Sequence, residues 1–208
     1  MIITDATNLP RLMNCNGSRL MAAALPPDTD QTARDEGNAA HWMAQQIFDG
    51  ASVESLVNTK AFNGLTLTEE MAEHVVSYVS ALDCGAMEVP TTHTGTGWQI
   101  NGRADHIVDN TTLRTLTIDE FKYGWRIVEP ENNWTLISHA VGYCKIHNFR
   151  PDRIVLRIHQ PRPHHPKGKL REWVISYEQL MVFVAQIEAT LSDPSDMLVT
   201  GIEWCAKC

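Results

Sequence analysis

The chain has 208 residues, of which 43% are hydrophobic and 20% charged; this balance excludes wholesale disorder, collagen-like repeats and coiled coil, and suits roughly one to one and a half domains. No run approaches the roughly 18 consecutive apolar residues of a membrane span, and MIITDATNLPRLMNC lacks a basic segment followed by an apolar one, so a cytoplasmic protein without membrane contact is expected. The net charge of −8 argues at first against a polyanionic partner, yet Arg150, Arg153, Arg157, Arg162, Lys167, Lys169 and Arg171 share one stretch with a single acid, Asp152; it is either a basic stripe able to follow phosphates or a solvated hairpin.

In chain order, Leu12, Met13, Leu20 and Met21 around CNGS suggest one or two short helices that end at the breaker Pro26-Pro27. From Ala33 to Phe48, Ala40, Met43, Ala44 and Ile47 recur at helical spacing and carry His41 beside an apolar stripe. A second helix starts at the N-cap Thr68, with acids in its first turn, and runs to about Leu82. Trp98 to Val108 and Leu113 to Phe121 read as strands of a hairpin turning over Asp109 to Thr112. A helix from about Asn133 to His147 follows, then strands Arg153 to His159 and Glu172 to Ser176 around the loop PRPHHPKGK, and a helix from Tyr177 to Leu191 closes the order. There is no internal repeat. The expected fold class is α/β, with a central mixed sheet of four or five strands flanked by helices.

The hairpin concentrates the chemistry. Alternation along Leu116 to Lys122 puts Glu120 and Lys122 at the end of an apolar face, and a turn centred between Thr112 and Leu113 sets Asp105 opposite Glu120. Cross-strand Cβ atoms lie about 4.5 to 5.5 Å apart, close enough for two carboxylates to grip one divalent cation. Two acids and an amine on a strand pair suit phosphodiester hydrolysis: the acids hold Mg²⁺ or Mn²⁺, and the lysine orients water or stabilises developing charge. On the hairpin alone, an ordinary ion pair at an exposed strand end also accounts for Glu120 and Lys122.

Five cysteines, at 15, 84, 144, 205 and 208, favour reduced thiols or metal ligands over disulfides in a chain of this size. A terminal CAKC can bind Zn²⁺ or an iron–sulfur cluster when two further ligands join it. His164 and His165 read as part of a flexible basic loop.

Taken together, EGNAAH with Gly37 and His41 in GxxxH spacing, then GRAD, then IDEFKYG, resemble the ordered motifs of the PD-(D/E)XK nuclease superfamily, in particular its RecB-like exonuclease branch. NCNGS, LTEEM with VVSYV, IHQPR and CAKC extend the likeness to a phage-associated RecB-like family over nearly the whole chain. The resemblance implies a restriction-endonuclease-like core in one nuclease domain over residues 1–208. It implies Asp105, Glu120 and Lys122 as catalytic residues, and His41, Asp105, Glu120 and the Phe121 carbonyl as metal ligands. Glu36 is a weaker candidate that would act through water. Related nucleases follow the ExK strand with a helix bearing Gln and Tyr four residues apart; the nearest register here places Thr135 and His139 there, as candidate DNA contacts beside Arg162, Lys167 and Lys169. Related iron–sulfur nucleases staple their ends with four cysteines, and Cys15, Cys205 and Cys208 match three of those places, leaving Cys144 or a histidine as a candidate fourth.

The activity so implied is that of a Mg²⁺- or Mn²⁺-dependent deoxyribonuclease, an exonuclease in phage recombination or DNA processing. It would act on DNA in the cytosol, the bacterial host's if phage-encoded, with a phage recombination protein as a candidate partner. The alternatives are a catalytically weak or inactive nuclease-fold protein that binds DNA or acts as a scaffold, and a zinc-stapled interaction module.

Overall fold

A computed structural model describes residues 1–18, 20–21, 30–193, 198–199 and 201. Its spine is β3, Trp98–Asn110, flanked on one edge by β2, Ala86–Gly95, antiparallel from Trp98 to Ile107. The other edge of β3 is shared. Its first part pairs in parallel with β1, Ile2–Asp5, as far as Asn101, and its last part pairs antiparallel with β4, Thr115–Phe121, from His106 onward. Between these partners residues 102–105 pair with neither strand. The sheet continues through β5, Arg153–His159, parallel to β4, to β6, Leu170–Ile175, antiparallel to β5. It is a six-stranded mixed sheet flanked by helices, two strands more than the smaller expected number.

The additional strands are β1 and β2. Residues 1–8 form β1 and a short 3-10 helix, Ala6–Asn8, before the helix α1, Leu9–Asn14. Pro90 within β2 cannot donate to a ladder and normally marks a non-strand. Among the described residues β2 pairs with β3 alone, so the proline sits where an edge strand tolerates it. The hairpin turn lies at residues 111–114, two positions later than expected, with Arg114 at φ 49° and Asn110 Oδ1 accepting from Leu113 N at 2.8 Å. The register is unaffected: His106 pairs with Asp119 and Val108 with Thr117.

Alternation along β4 assigns each side chain to a face. Leu116 and Ile118 join Ile154, Leu156 and Ile158 under α5, Trp134–Ile146, and α6, Tyr177–Ser192. Phe121 turns the other way, into a second core with α2, Thr32–Phe48, and α4, Glu69–Val79, beyond the short α3, Val53–Leu56. Sequence-coded caps set the helix starts. Thr68 accepts from Met71 N, Asn133 from Thr135 N and Leu136 N, and Ser176 forms a reciprocal capping box with Gln179.

Helix α5 is buried at every residue from Thr135 to Cys144, as an apolar helix between other elements must be. Gly142 lets it lie against β2: a Cβ there would fall 2.9 Å from both Thr91 Cβ and Thr92 N. One contact is backbone and cannot swing away, so Gly142→Ala should lower stability by about 1 to 3 kcal/mol, read as a fall in Tm without change in far-ultraviolet circular dichroism.

Beside that contact His93 is buried with neither ring nitrogen hydrogen-bonded, its ring edge-on to Trp98 at 4.8 Å. Burial, with a smaller push from Lys145, lowers its pKa to about 3. The sign follows from the unfolded value near 6.5: between those pH values the unfolded chain binds a proton that the folded chain refuses. Stability is therefore fully present above the window and falls through it as pH drops, by at most about 1.4 kcal/mol per pH unit. His93→Phe should flatten the acid limb of a urea-midpoint against pH curve; an unchanged limb would show that other groups set it.

No helix among the described residues is long and apolar enough to cross a membrane.

Candidate metal centre

The unpaired stretch of β3 opens a cleft of about 530 Å³ lined by Asp5, Asn38, His41, Glu88, Asp105, Glu120, Lys122 and His139, among others. Its width has a backbone cause. β1 ends at Asp5 and β4 begins to pair only at His106, so no neighbouring strand makes ladder pairs with Gly102 to Asp105 on that edge. Gly102 is required there, because a Cβ would stand 2.6 Å from the His139 ring.

Asp105 is the centre of the group. Its Oδ2 accepts from Phe121 N at 2.7 Å, which fixes the carboxylate, and its Oδ1 lies 3.4 Å from His41 Nδ1 on α2. One ligand atom each from His41, Glu88 and Asp105 lie within 4.8 Å of one another. The ladder pairs Met87 with His106 and Val89 with Ala104, so Glu88 stands across from Asp105 on one side; on the other, Glu120 and Asp105 each lie one residue beyond the last pair, His106 with Asp119. Glu88 adopts φ 55°, a left-handed conformation costly for a non-glycine residue and more often met at functional sites.

Charge is unevenly distributed over these groups. Burial first, and the Glu120 charge second, raise the Asp105 pKa well above the carboxylate range. Burial also pushes Glu120 up, but Lys122, His139 and His41 outweigh it and hold that carboxyl below its ordinary value. Lys122 Nζ donates to Glu120 Oε1 at 2.5 Å. Burial would discharge the amine, but the Glu120 and Asp105 charges overcome it and raise its pKa. Burial and then Lys122 lower His41 to about 4, against a hydrogen bond to the Phe121 main chain, so the imidazole is neutral near pH 7 and able to ligate. Glu88 is raised by burial, opposed by Arg103 at 3.8 Å.

These residues fit a divalent cation. Glu120 Oε2 is buried without a hydrogen-bond partner, with His139 Nε2 3.9 Å from it. Three carboxylates around one cleft repel one another unless protons or a cation intervene, and the neutral imidazole adds a further ligand.

The family model for DUF2800, described as a protein of unknown function, matches residues 6–205. The chain belongs to the DUF2800 family. No curated protein matches it. A solved structure described as a "Putative exonuclease" from Eubacterium rectale is similar at 10% identity and a TM-score of 0.44, over 80% of this chain and 67% of that one. A second, described as SSO0001, has 17% identity and a TM-score of 0.30 over 60% of this chain and 68% of its own. Both likenesses are too distant to bear on chemistry.

In this DUF2800 chain the expected site residues divide. His41, Asp105, Glu120 and Lys122 converge, and Phe121 contributes main-chain contacts while its ring is core. His139 lines the cleft but is buried, with Nδ1 against Thr91 Oγ1 at 2.9 Å and Nε2 3.9 Å from Glu120 Oε2. Thr135 is also buried, its hydroxyl toward Ala6 O at 3.4 Å, and is not among the cleft-lining residues. Cys205 and Cys208 lie outside the described residues. Cys15 is buried with Sγ accepting from Val199 N at 3.2 Å, and burial raises the core thiol Cys144 to about 12, which disfavours the ligating thiolate.

The basic stretch is continuous in sequence only. Arg162 is held by Glu36 at 2.9 Å and Glu70 at 3.6 Å, Arg157 by Asp83, Asp119 and Glu172, and Arg171 is buried against Gln160 and the Val128 carbonyl. Strand alternation and acids brought in from other elements account for the difference. Arg150, Arg153, Lys167 and Lys169 remain exposed. His165 pairs with Glu129 at 2.8 Å. Glu36 meets Arg162 and is not among the cleft residues.

Glu88 was not foreseen, because Pro90 conceals β2; the alternating run Val89, Thr91, His93 was the available signal. Nor was the opposite-face cluster in which buried Asp119 accepts from His106 Nδ1 and His159 Nε2, each at 3.0 Å. These bonds, together with the charges of the two histidines, outweigh burial and keep Asp119 below its ordinary pKa.

Proposed function

We propose that this DUF2800 chain is a Mg²⁺- or Mn²⁺-dependent deoxyribonuclease of the RecB-like PD-(D/E)XK type, acting as an exonuclease in phage recombination or DNA processing, with residues 1–208 as one nuclease domain. The observation that carries the reading is the meeting of His41, Glu88 and Asp105 beside the Glu120–Lys122 pair in an open cleft. His41, Glu88 and Asp105, with Glu120 adjoining, would hold the cation, which supplies positive charge to polarise a phosphodiester and acidify water.

The chain's own groups account for the rest. The Phe121 N–H fixes the Asp105 carboxylate, so the ligand does not rotate. Thr91 orients the His139 ring, whose Nε2 faces Glu120. Lys122 stays an ammonium in the cleft, so it serves as a hydrogen-bond donor to water or to phosphate oxygen as negative charge grows, and not as a base.

Incubation of end-labelled linear and circular DNA with Mg²⁺ or Mn²⁺, with a chelator control, tests this. Loss of linear DNA with the circle spared is the expected result; nicking of the circle would replace exonuclease by endonuclease. Binding without cleavage in either metal would favour the second reading, an inactive DNA-binding or scaffold protein. What supports that reading is the closed Glu120–Lys122 pair, which occupies a carboxylate oxygen.

A further inference from the structure

Three residues past Lys122 the chain turns an indole outward. Trp125 is 64% exposed, although Tyr123 two residues earlier is buried. The Arg162 guanidinium lies over both rings, 4.1 Å from the Tyr123 centroid and 5.0 Å from that of Trp125. It is clamped in turn by Glu36 of α2 at 2.9 Å and Glu70 of α4 at 3.6 Å. Its charge is thus matched within the protein, and its planar face is committed to aromatic rings. A cation so placed is poorly suited to neutralise a phosphate but well suited to hold an indole in one orientation.

Location gives that indole a use. Three residues of chain span at most about 10 Å, roughly three nucleotide steps at 3.4 Å per strand. Glu36 stands five residues before His41 on the same helix, about 7.5 Å along its axis, so the brace is tied to the metal-ligand helix. An exposed, pre-oriented aromatic ring next to a phosphodiester cleft can receive the flat face of any base, because every base has a π-face. A free indole would lose rotamer freedom on binding, and the brace reduces that loss.

We infer that Trp125, braced by Arg162, is a stacking platform for an unpaired DNA base within about three nucleotides of the cleavage position. The inference rests on the nuclease reading and adds a preference for single-stranded ends, read by shape and not by sequence.

The test is fluorescence anisotropy in Ca²⁺ with a short labelled oligothymidylate and a fully abasic oligonucleotide of equal length. Trp125→Ala should weaken oligothymidylate binding on the order of 10- to 100-fold, the loss of one base stack, while Trp125→Phe keeps most of it. Neither variant should change affinity for the abasic strand or the dependence of log K on log salt, since no phosphate contact is removed. Equal oligothymidylate affinity in Trp125→Ala and wild type, or an equal loss on both oligonucleotides, overturns the platform. If wild type still cuts DNA with Mg²⁺ or Mn²⁺, the nuclease reading survives that result. Wild-type protein that neither binds nor cuts DNA overturns both.

Discussion

Asp105→Asn should abolish Mn²⁺-dependent cleavage, by roughly 10³-fold or more, and yet make the metal-free protein more stable. The first effect comes from removing the charged ligand at the centre of the His41, Glu88 and Asp105 group; several kcal/mol of lost transition-state stabilisation is a rate loss of that order. The second comes from the same residue's environment. Asp105 is buried beside Glu120, and both burial and that charge oppose its ionisation. The amide relieves the repulsion while its oxygen still accepts from Phe121 N. A gain of about 1 kcal/mol is the expected scale. Thermal denaturation with and without Mn²⁺ checks both halves: wild type should gain Tm with metal, as any native-state ligand requires, and Asp105→Asn should start higher and gain nothing. A variant that loses stability and activity together would identify Asp105 as a packing residue.

Lys122→Met should separate binding from chemistry in the opposite sense. The amine holds Glu120 Oε1 at 2.5 Å, so removing it frees a carboxylate oxygen and should leave Mn²⁺ affinity equal or tighter. Cleavage should nevertheless fall by about 10²- to 10³-fold, the usual loss when one charge-stabilising donor is removed. Without metal, Glu120 is then a buried charge with no ammonium, and breaking such a pair costs about 3 to 5 kcal/mol. Millimolar Mn²⁺ should restore much of that stability in Lys122→Met. Titration calorimetry, denaturation and the gel assay together decide it; wild-type cleavage in Lys122→Met would reduce the Glu120–Lys122 contact to a structural ion pair.

Much of this arrangement is local enough to be read along the chain. Helix α4 begins at Glu69 because Thr68 caps it, and α5 at Trp134 because Asn133 does; a cap needs only residues three apart. The hairpin register that opposes Asp105 and Glu120 depends on turn chemistry between two strands; the turn over residues 111–114 is centred between Thr112 and Leu113, as that opposition requires, because β3 runs two residues further and β4 starts two residues later. Helical periodicity likewise carried His41 onto α2.

What pairs across long separations was not legible in this way. Pro90 is a strand breaker by local rules, and only the position of β2 at the sheet edge makes it tolerable, so Glu88 and its place beside Asp105 depended on topology. Arg162 belongs to a run of positive charge in sequence, but Glu36 and Glu70 reach it from 126 and 92 positions away and turn a phosphate-binding candidate into a brace for Trp125. Caps, turns and face alternation are set by neighbours within a few residues and are therefore written in the sequence itself; the charge state and partners of a side chain are set by whatever the sheet order brings within a few ångströms, and that is decided only when the chain is folded.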